Sequence, residues 1–302
     1  MSTTFTIRSA RADEVDAAAE LLNELSRALH GANDTSAAEL RNYWESPEVD
    51  LERDVLLAEG ADGALIGYAD LGIYGDAVWL DVRGRDAEPL DALLSAIEAR
   101  AAEKKPGTRL LGYSTEKDRA VRDLFERRGY RVIRHSFRME IDFDGPVPEP
   151  EWPDGIAVRT FREGDEQRVY EAHEESFADL WMFSPTPFDE WAHWFLQDPA
   201  FDPSLWFLAE VGEELVGVAL TRPSEAEPDT GWVRVLGVLP AHRRRGLAQA
   251  LLQRAFAEFA SRGYKRVGLG VDAENPTGAV RLYERAGMHV ARVNLQYEKV
   301  QG

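Results

Sequence analysis

The residues best suited to chemistry form the turn at 243–248, whose sequence is RRRGLA. The apolar run 232–238 before it predicts a strand, and the apolar periodicity of 247–259 predicts a helix. The first N–H groups of a helix have no partner within the helix, and the helix dipole places partial positive charge beside them. Arginines add charge-assisted hydrogen bonds to phosphate oxygens, and Gly246 lets the backbone approach a ligand closely. The turn therefore predicts a phosphate- or pyrophosphate-binding site.

A second motif at 275–288, with the sequence NPTGAVRLYERAGM, follows a strand predicted at 266–271. It predicts a helix that starts near Asn275 and Pro276 and ends at Gly287. The residues that share one face of this helix, at three- and four-residue spacings, are Ala279, Leu282, Tyr283 and Ala286. An arginine run alone is usually a solvated surface, whereas the two motifs in this order favour a ligand site.

The pattern R-x-x-G-x-A after a strand and the later pattern N-x-x-x-A-x-x-L-Y-x-x-x-G together resemble the GNAT superfamily of N-acetyltransferases. The resemblance covers residues 156–300, and a weaker copy covers the first half of the chain. This doubled arrangement is similar to the mycothiol synthase-like tandem acetyltransferases. The resemblance implies acetyl-coenzyme A as co-substrate and direct attack by an amine without an acyl-enzyme. In agreement, the chain has no cysteine and no G-x-S-x-G turn.

The resemblance also implies which residues hold the coenzyme. Backbone groups at the end of the strand would pair with the pantetheine arm, and one N–H there would polarise the thioester carbonyl. The amides at 244–248 would hold the pyrophosphate. The coenzyme-binding residues predicted in this way are Leu236, Gly237, Val238, Arg243, Arg244, Arg245, Gly246, Leu247, Ala248 and Asn275. Asn275 has a second interpretation, as a plain helix N-cap.

Tyr283 is the candidate general acid under this resemblance. The thiolate that leaves the thioester needs a proton, and an ordinary tyrosine pKa of about 10 suits donation to a strongly basic sulfur. The alternative is a core tyrosine that fills space on the helix face. The motif around Tyr283 favours the general-acid interpretation.

No general base is assigned from the sequence. Several members of the family carry a glutamate on the strand before the turn, and Trp232 stands at about that position here. The other candidates are Glu227 and Asp229 in a predicted loop, and His173, Glu174 and His193 in the helical region before it. Each of these side chains is more often a surface or capping group, and a water relay to a remote carboxylate is a further alternative.

The segment 177–201 is unusually rich in aromatic residues, namely Phe177, Trp181, Phe183, Phe188, Trp191, Trp194, Phe195 and Phe201. A core or interdomain contact is the favoured interpretation. The functional alternative is an apolar lid or acceptor pocket. His173 and His193 do not form an H-E-x-x-H pair and the chain has no cysteine, so no metal site is expected.

Two copies of one sequence pattern make up the chain. Gly67 matches Gly217 and Gly129 matches Gly287, at offsets that drift slowly along the sequence. Ordered matches of this kind are typical of a duplicated domain. Each copy is predicted to run strand, helices, two-stranded hairpin, strand, helix, strand, helix, strand.

The proline-rich segment 144–154 predicts an extended linker between the copies. We therefore predict a first domain at 1–143 and a second domain at 155–302. The predicted fold class is α/β (α+β). It consists of two tandem GNAT-like domains, each a mixed, mostly antiparallel sheet flanked by helices.

The first copy is predicted to lack chemistry. Its connection from strand to helix is shorter by two residues and carries Asp86, whose charge would repel phosphate. The counterpart of Tyr283 is Phe125, which cannot donate a proton, and the counterpart of Asn275 is Lys117. The active site is therefore predicted in the second domain. A structural role is predicted for the first, with coenzyme binding without chemistry as the alternative.

The chain has 302 residues and a net charge of −19. Nucleic acid needs a basic face, so it is not an expected partner. The acidic balance favours solubility and is compatible with an amine acceptor. The chain has no run of eighteen apolar residues, and its start lacks the features of a signal peptide. A cytoplasmic monomer or homodimer with no membrane partner is therefore expected.

The resemblance to the GNAT superfamily implies an acetyl-coenzyme A-dependent N-acetyltransferase, and we expect it to act on a small-molecule amine. Two alternatives stay open at this stage. One is a non-catalytic acyl-coenzyme A-binding sensor or scaffold, and the other is a protein N-acetyltransferase.

Overall fold

Two compact units make up the computed structural model, which describes residues 4–145 and 147–300 apart from the side chain of Tyr74. The first unit contains residues 4–136, 225–227 and 293–300, and the second contains the remaining described residues between 137 and 292. Within the described part of the chain, no helix is long and apolar enough to cross a lipid bilayer.

The first unit is an antiparallel sheet with one parallel pair, flanked by helices. Its elements are β1 (Phe5–Ser9), α1 (Val15–His30), α2 (Ala37–Trp44), α3 (Leu51–Asp54), β2 (Val55–Gly60), β3 (Leu65–Tyr74), β4 (Ala77–Gly84), α4 (Ala87–Lys104), β5 (Arg109–Thr115), α5 (Arg119–Arg127) and the start of β6 (Arg131–Asp142). Strands β1 to β5 pair in chain order, and only β4 and β5 run parallel. Helix α4 buries its apolar face, which includes Leu93 and Ile97, against this sheet.

The second unit repeats this order. Its elements are β7 (Ala157–Thr160), α6 (Glu166–Phe177), α7 (Phe188–Leu196), β8 (Trp206–Val211), β9 (Glu214–Pro223), β10 (Thr230–Val238), α8 (Leu247–Ser261), β11 (Arg266–Asp272), α9 (Ala279–Arg285) and the start of β12 (His289–Val300). Strands β7 to β11 pair in chain order, with only β10 and β11 parallel. The predicted element order and the mostly antiparallel sheet flanked by helices are confirmed.

Each unit completes its sheet with a strand from the other half of the sequence. The segment 294–300 of β12 pairs antiparallel with β5, and its Tyr297 is fully buried in the core of the first unit. The segment 137–142 of β6 lies beside β11, and its Met139 is fully buried in the core of the second unit. The segment 137–142 therefore belongs to the second unit and the segment 294–300 to the first, whereas the predicted division at 143 and 155 placed them the other way round.

The sequence offset could not reveal this exchange, because it records order along the chain and not the partner of a strand. The division into 1–143, 144–154 and 155–302 stays a prediction about the organisation of the sequence. Pro146 of the predicted linker lies outside the described residues.

Helix α8 shows how the apolar pattern positions the turn before it. Its residues Leu251, Leu252 and Phe259 are fully buried, and the burial of each such side chain contributes roughly 1.5–3 kcal/mol. Gly217 of β9 leaves room for this packing, because a Cβ there would lie 3.1 Å from a methyl carbon of Leu251. The helix is thus held against the sheet with its N-terminus at the end of β10.

Candidate active site

A cleft opens between the C-terminal halves of the parallel strands β10 and β11. The strands pair from Thr230 opposite Arg266 to Val233 opposite Leu269. Beyond this point they part, and the space between them forms a cleft of about 630 Å³. Its walls include both strands, the start of α8 and one face of α9. A volume of this size suits a cofactor or a small-molecule ligand.

A β-bulge at Arg234 accompanies the separation of the two strands. Val233 pairs with Thr221 and Val235 pairs with Leu220, so Arg234 is the extra residue of β10. A bulge bends the strand and increases its twist. The segment 236–238 then pairs with β9 and has no β11 partner within the described register. Its other edge is open for backbone pairing with a ligand.

The turn at 243–248 ends in a helix start that no side chain caps. Gly246 is the N-cap of α8 with φ +86°, and Arg244 has φ +62°. A left-handed arginine costs roughly 1–3 kcal/mol and so is a strained position. The first α8 hydrogen bond runs from the Ala250 N–H to the Gly246 carbonyl oxygen, 3.1 Å apart. The N–H groups of 247–249 are thus available to an anion, and the geometry fits a diphosphate.

The three arginines of the turn differ in their contacts. Arg243 donates hydrogen bonds to both carboxylate oxygens of Asp179 and to the backbone oxygens of Ser176 and Val238. Its guanidinium lowers the pKa of Asp179. Arg243 therefore ties the end of β10 to the end of α6, while lining the cleft. The side chains of Arg244 and Arg245 lie at the exposed surface of the turn.

Tyr283 belongs both to the core of the second unit and to the wall of the cleft. Only 8% of the residue is exposed, and this burial raises its pKa from 10.0 to about 12. A neutral phenol is therefore its stable form through the neutral pH range. The two interpretations of Tyr283 are compatible, since its ring packs in the core and the residue borders the cleft. The general-acid role stays a prediction.

Asn275 lies in the cleft wall but does not begin a helix. Helix α9 starts at Ala279 with Gly278 as its N-cap at φ +79°, so the predicted start near Asn275 and Pro276 was wrong. The Asn275 Oδ1 atom accepts hydrogen bonds from the Thr277 N–H at 2.9 Å and from its hydroxyl at 2.6 Å. This side chain closes a local turn of the kind that asparagine favours over helix.

His173 is not placed to act as a base in the cleft. Its Nδ1 atom accepts a hydrogen bond from the Trp191 indole N–H at 2.9 Å. Burial, with a smaller contribution from the positive charge of Arg234, lowers its pKa to about 4. The Glu174 carboxylate accepts a hydrogen bond from the Thr186 N–H at 3.0 Å, and burial raises its pKa. Neither side chain lines the cleft.

The other candidate bases are also outside the cleft lining. His193 contacts Gln197, Asp229 lies in the turn before β10, and Glu227 belongs to the first unit. The Trp232 ring lies against Gly268, whose Cβ, if present, would be 2.6 Å from a ring carbon. Among the described residues, the sequence candidates for the base do not converge on the site.

The aromatic segment forms mainly core. Trp191 is 1% exposed, stacks on Phe195 with ring centroids 5.1 Å apart, and meets Trp206 edge-on at 6.2 Å. The favoured core interpretation is confirmed for these residues. Phe177 and Trp181, at the end of α6 and just beyond it, instead line the cleft.

Arg234 and Ser176 also shape the cleft and were not predicted from the sequence. Arg234 lines it from the bulge, and Ser176 packs against Gly237, where a Cβ would lie 2.2 Å from the Ser176 hydroxyl oxygen. A lone arginine within the apolar run 232–238 was the available signal for the first. No local signal pointed to the second, because the contact joins α6 to β10.

Comparison with known proteins agrees with this geometry. The profile of the acetyltransferase (GNAT) family matches residues 166–288. A mycothiol acetyltransferase from Geodermatophilus obscurus is 33% identical over 292 residues, which cover 88% of this chain and 90% of that protein. The chain belongs to the GNAT acetyltransferase family. It is therefore an acyltransferase, and the family uses acetyl-coenzyme A as co-substrate.

Solved structures show the same tandem GNAT architecture. A GCN5-related N-acetyltransferase from Sphaerobacter thermophilus has a TM-score of 0.81 and 33% identity, covering 98% of this chain and 95% of that one. A tandem GNAT protein from the clavulanic acid biosynthesis pathway has a TM-score of 0.77 at 13% identity, with 99% of both chains covered. The second similarity concerns the fold alone. The predicted tandem GNAT fold is confirmed.

Acidic and histidine side chains do not form a metal-binding group in the described part of the chain. No cluster of three or more histidine, cysteine, aspartate or glutamate residues in 4–145 and 147–300 could hold a metal ion.

Proposed function

We propose that this GNAT protein transfers the acetyl group of acetyl-coenzyme A to the amine of a small molecule, and that the reaction takes place in the second unit. The cleft between the separated ends of β10 and β11 carries this proposal. It brings the uncapped start of α8, the open edge of 236–238 and Tyr283 to one space. These are the parts that binding and cleavage of a coenzyme A thioester require.

Residues of the second unit fit three parts of the donor: the diphosphate, the pantetheine arm and the thioester carbonyl. The N–H groups at 247–249 and the left-handed turn at Arg244 and Gly246 hold the diphosphate. The open edge of 236–238 pairs with the amide groups of the pantetheine arm. An N–H group of this segment donates a hydrogen bond to the thioester carbonyl oxygen and stabilises the negative charge that develops there.

Acetyl transfer then needs one bond made, one bond broken and two proton movements. The amine nitrogen attacks the carbonyl carbon, an N–C bond forms and the C–S bond breaks. Tyr283 donates its proton to the departing sulfur, and its raised pKa of about 12 keeps that proton in place at neutral pH. The proton lost by the amine passes to water. Tyr283 is reprotonated from solvent before the next cycle.

A small-molecule acceptor is supported by the curated relative, whose name is mycothiol acetyltransferase and which matches nearly the whole chain. The lining of the cleft is also consistent with a small acceptor, since Phe177 and Trp181 add apolar surface to it. Mycothiol synthesis itself is one candidate activity. A wider panel of amines tests which class of acceptor the protein uses.

The test is release of free thiol from acetyl-coenzyme A with a panel of small amines. Tyr283→Phe is expected to lower kcat by about 10²- to 10⁴-fold, the range for loss of a general acid, with little change in the KM for the donor. Tyr264→Phe is the matched control, because Tyr264 packs on Phe259 outside the cleft lining. An unchanged kcat in Tyr283→Phe would contradict the general-acid role.

Two other outcomes distinguish the alternatives. Tight coenzyme A binding by calorimetry without thiol release for any amine would point to a sensor or scaffold. Release only with peptide acceptors would point to a protein N-acetyltransferase.

A further inference from the structure

Arg234 is held in a fixed place in the wall of the cleft. A single terminal nitrogen, Nη1, donates hydrogen bonds to the Asp198 carboxylate at 2.7 Å and to the Trp194 carbonyl oxygen at 2.6 Å. Its guanidinium carbon lies 4.1 Å from the centre of the Phe195 ring. The β-bulge places this side chain beside the point where β10 and β11 separate. The Arg234 guanidinium, whose partner Asp198 also pairs with Arg222, therefore stands in the wall of the cleft.

The charge of Arg234 acts on neighbouring groups that can carry a proton. After burial, it is the second cause of the lowered pKa of His173, which is about 4. An amine that enters the cleft near Arg234 meets the same positive charge. A nearby like charge disfavours the ammonium form and favours the free base.

The described carboxylates around Arg234 and in the cleft lining already have cationic or hydrogen-bonding partners. Trp232, two residues earlier, has the Arg138 guanidinium 5.1 Å from its ring centre, and Arg138 pairs with Glu140 at 2.5 Å. The Asp198 carboxylate is shared with a second arginine, Arg222, at 3.2 Å. Of the two carboxylates that line the cleft, Asp179 is bound by Arg243 and Asp272 accepts a hydrogen bond from a backbone N–H at 2.9 Å.

We propose that Arg234 is a specificity-determining residue that selects weakly basic amines, which enter as the free base, over strongly basic alkylamines, which enter as ammonium ions. The favoured class includes α-amino groups, with pKa values of about 7.7–8.0, and the disfavoured class includes lysine-like amines at about 10.4. This inference rests on the acetyltransferase function proposed above. In this proposal Arg234 affects the protonation state of the acceptor amine. It has no part in the departure of the thiolate.

The first experiment measures kcat/KM for three amines of similar size and falling basicity, namely propylamine, methoxyethylamine and trifluoroethylamine. The quantity of interest is the ratio between the most basic amine and the intermediate one. Arg234→Gln is expected to raise this ratio about tenfold, which corresponds to one pKa unit of interaction. Arg234→Lys keeps the charge and is expected to keep the ratio of the original protein.

Arg254→Gln is the matched control, because Arg254 pairs with Glu258 and is outside the cleft lining. It is expected to leave the ratio unchanged. An unchanged ratio in Arg234→Gln, or an equal loss for all three amines, would overturn the inference.

The second experiment counts protons when an amine binds to the protein loaded with coenzyme A. Calorimetry in two buffers of different ionisation heat, below the pKa of the amine, is expected to show release of about one proton per amine bound, because the free base is the bound form. Arg234→Gln is expected to release fewer. Amine binding without proton release, or no amine binding at all, would contradict the inference.

The two experiments separate this inference from the proposed function. Proton release without thiol release for any amine would reject acetyl transfer and keep only the effect of Arg234 on the protonation state of the bound amine. Thiol release with an unchanged amine preference would keep acetyl transfer and reject the role of Arg234.

Discussion

The two units differ in the space around one pair of corresponding glycines. Gly112 of β5 and Gly270 of β11 occupy the same place in their sheets, at the offset that also relates Phe125 to Tyr283. A Cβ at Gly112 would lie 2.5 Å from the Phe125 ring, whereas nothing lies within 4 Å of a Cβ at Gly270. In the first unit the buried ring of Phe125 therefore fills this space. In the second unit the corresponding space beside Gly270 is open.

The connections that follow the corresponding strands β4 and β10 also differ, and again the second unit has more room. Two residues join β4 to α4, and eight join β10 to α8. The longer connection has room for the left-handed turn that exposes helix N–H groups, while in the first unit Asp86 is the N-cap. Duplication thus preserved the sheet and its helices, but within the described residues only the second unit has both the gap at Gly270 and the left-handed turn before a helix.

Ion pairs that support the fold are present in both copies. Arg8 bonds Glu14 at 2.6 Å and Glu59 at 2.7 Å, and Arg159 bonds Asp165 and Glu210 at 2.6 and 2.9 Å. These pairs join the first strand of each unit to its neighbours. The comparison shows that framework contacts and site geometry can diverge independently after duplication.

The largest expected effect comes from separating the halves at the sequence boundary. The fragment 155–302 lacks the β6 segment with Met139, which is fully buried in the second unit. Each buried apolar side chain contributes roughly 1.5–3 kcal/mol, out of the 5–15 kcal/mol that stabilise a typical domain. We expect no cooperative thermal transition for 155–302 by near-UV circular dichroism. The fragment 137–302, which restores the strand, is the control, and equal melting of the two would refute the role of the exchange.

The paired glycines give the next effect. Gly112→Ala forces its new methyl group against Phe125 and is expected to lower the free energy of unfolding by about 1–3 kcal/mol. Gly270→Ala places its methyl group in open space and is expected to change stability by less than about 0.5 kcal/mol. Urea denaturation measures both. If both variants lost the same free energy of unfolding, the spaces beside Gly112 and Gly270 would be equally filled, which would contradict the comparison.

Two glycines with left-handed backbone conformation allow the effect of backbone strain to be distinguished from the effect on coenzyme binding. Gly246 and Gly31 have φ values of +86° and +77°, and a Cβ at either would meet no atom within 4 Å. We expect both alanine variants to lose about 1 kcal/mol of stability. Only Gly246→Ala is expected to raise the KM for acetyl-coenzyme A, by roughly tenfold for each 1.4 kcal/mol of lost binding. A similar rise in Gly31→Ala would show that strain alone explains the change.

The smallest effect concerns the shared ion pairs and pH. Arg8 lowers the pKa of Glu14, and Arg159 lowers the pKa of Asp165, in each case mainly through side-chain hydrogen bonds. A carboxyl group whose pKa is lower in the folded state stabilises the fold above its unfolded pKa of about 4, and this stabilisation is lost as the pH falls. Arg8→Ala and Arg159→Ala are each expected to cost about 1 kcal/mol at pH 7.

The cost should shrink as the pH falls through the lowered pKa values of Glu14 and Asp165, because both carboxyl groups then become protonated. Urea denaturation at pH 7 and at a series of lower pH values provides the measurement. A cost that does not depend on pH would assign the effect to packing of the arginine side chain.

Periodicity and turn chemistry predicted most of the framework. The strand at 232–238 and the helix at 247–259 lie within β10 and α8, and Gly287 follows α9 as expected, with φ +94°. The start of α9 was missed, because hydrogen bonds from Thr277 to Asn275 and the left-handed Gly278 delay the helix by one turn.

The order of elements, the duplication and the positions of both motifs follow from the chain itself, because apolar spacing and glycine placement act between near neighbours. The bulge at Arg234, the bond network of Arg243 and the exchange of β6 and β12 depend on partners far away in sequence. Tertiary packing alone set them, since strand pairing and charge pairing minimise free energy over the whole fold. The open cleft follows from the same packing, which filled the corresponding space in one copy and left it open in the other.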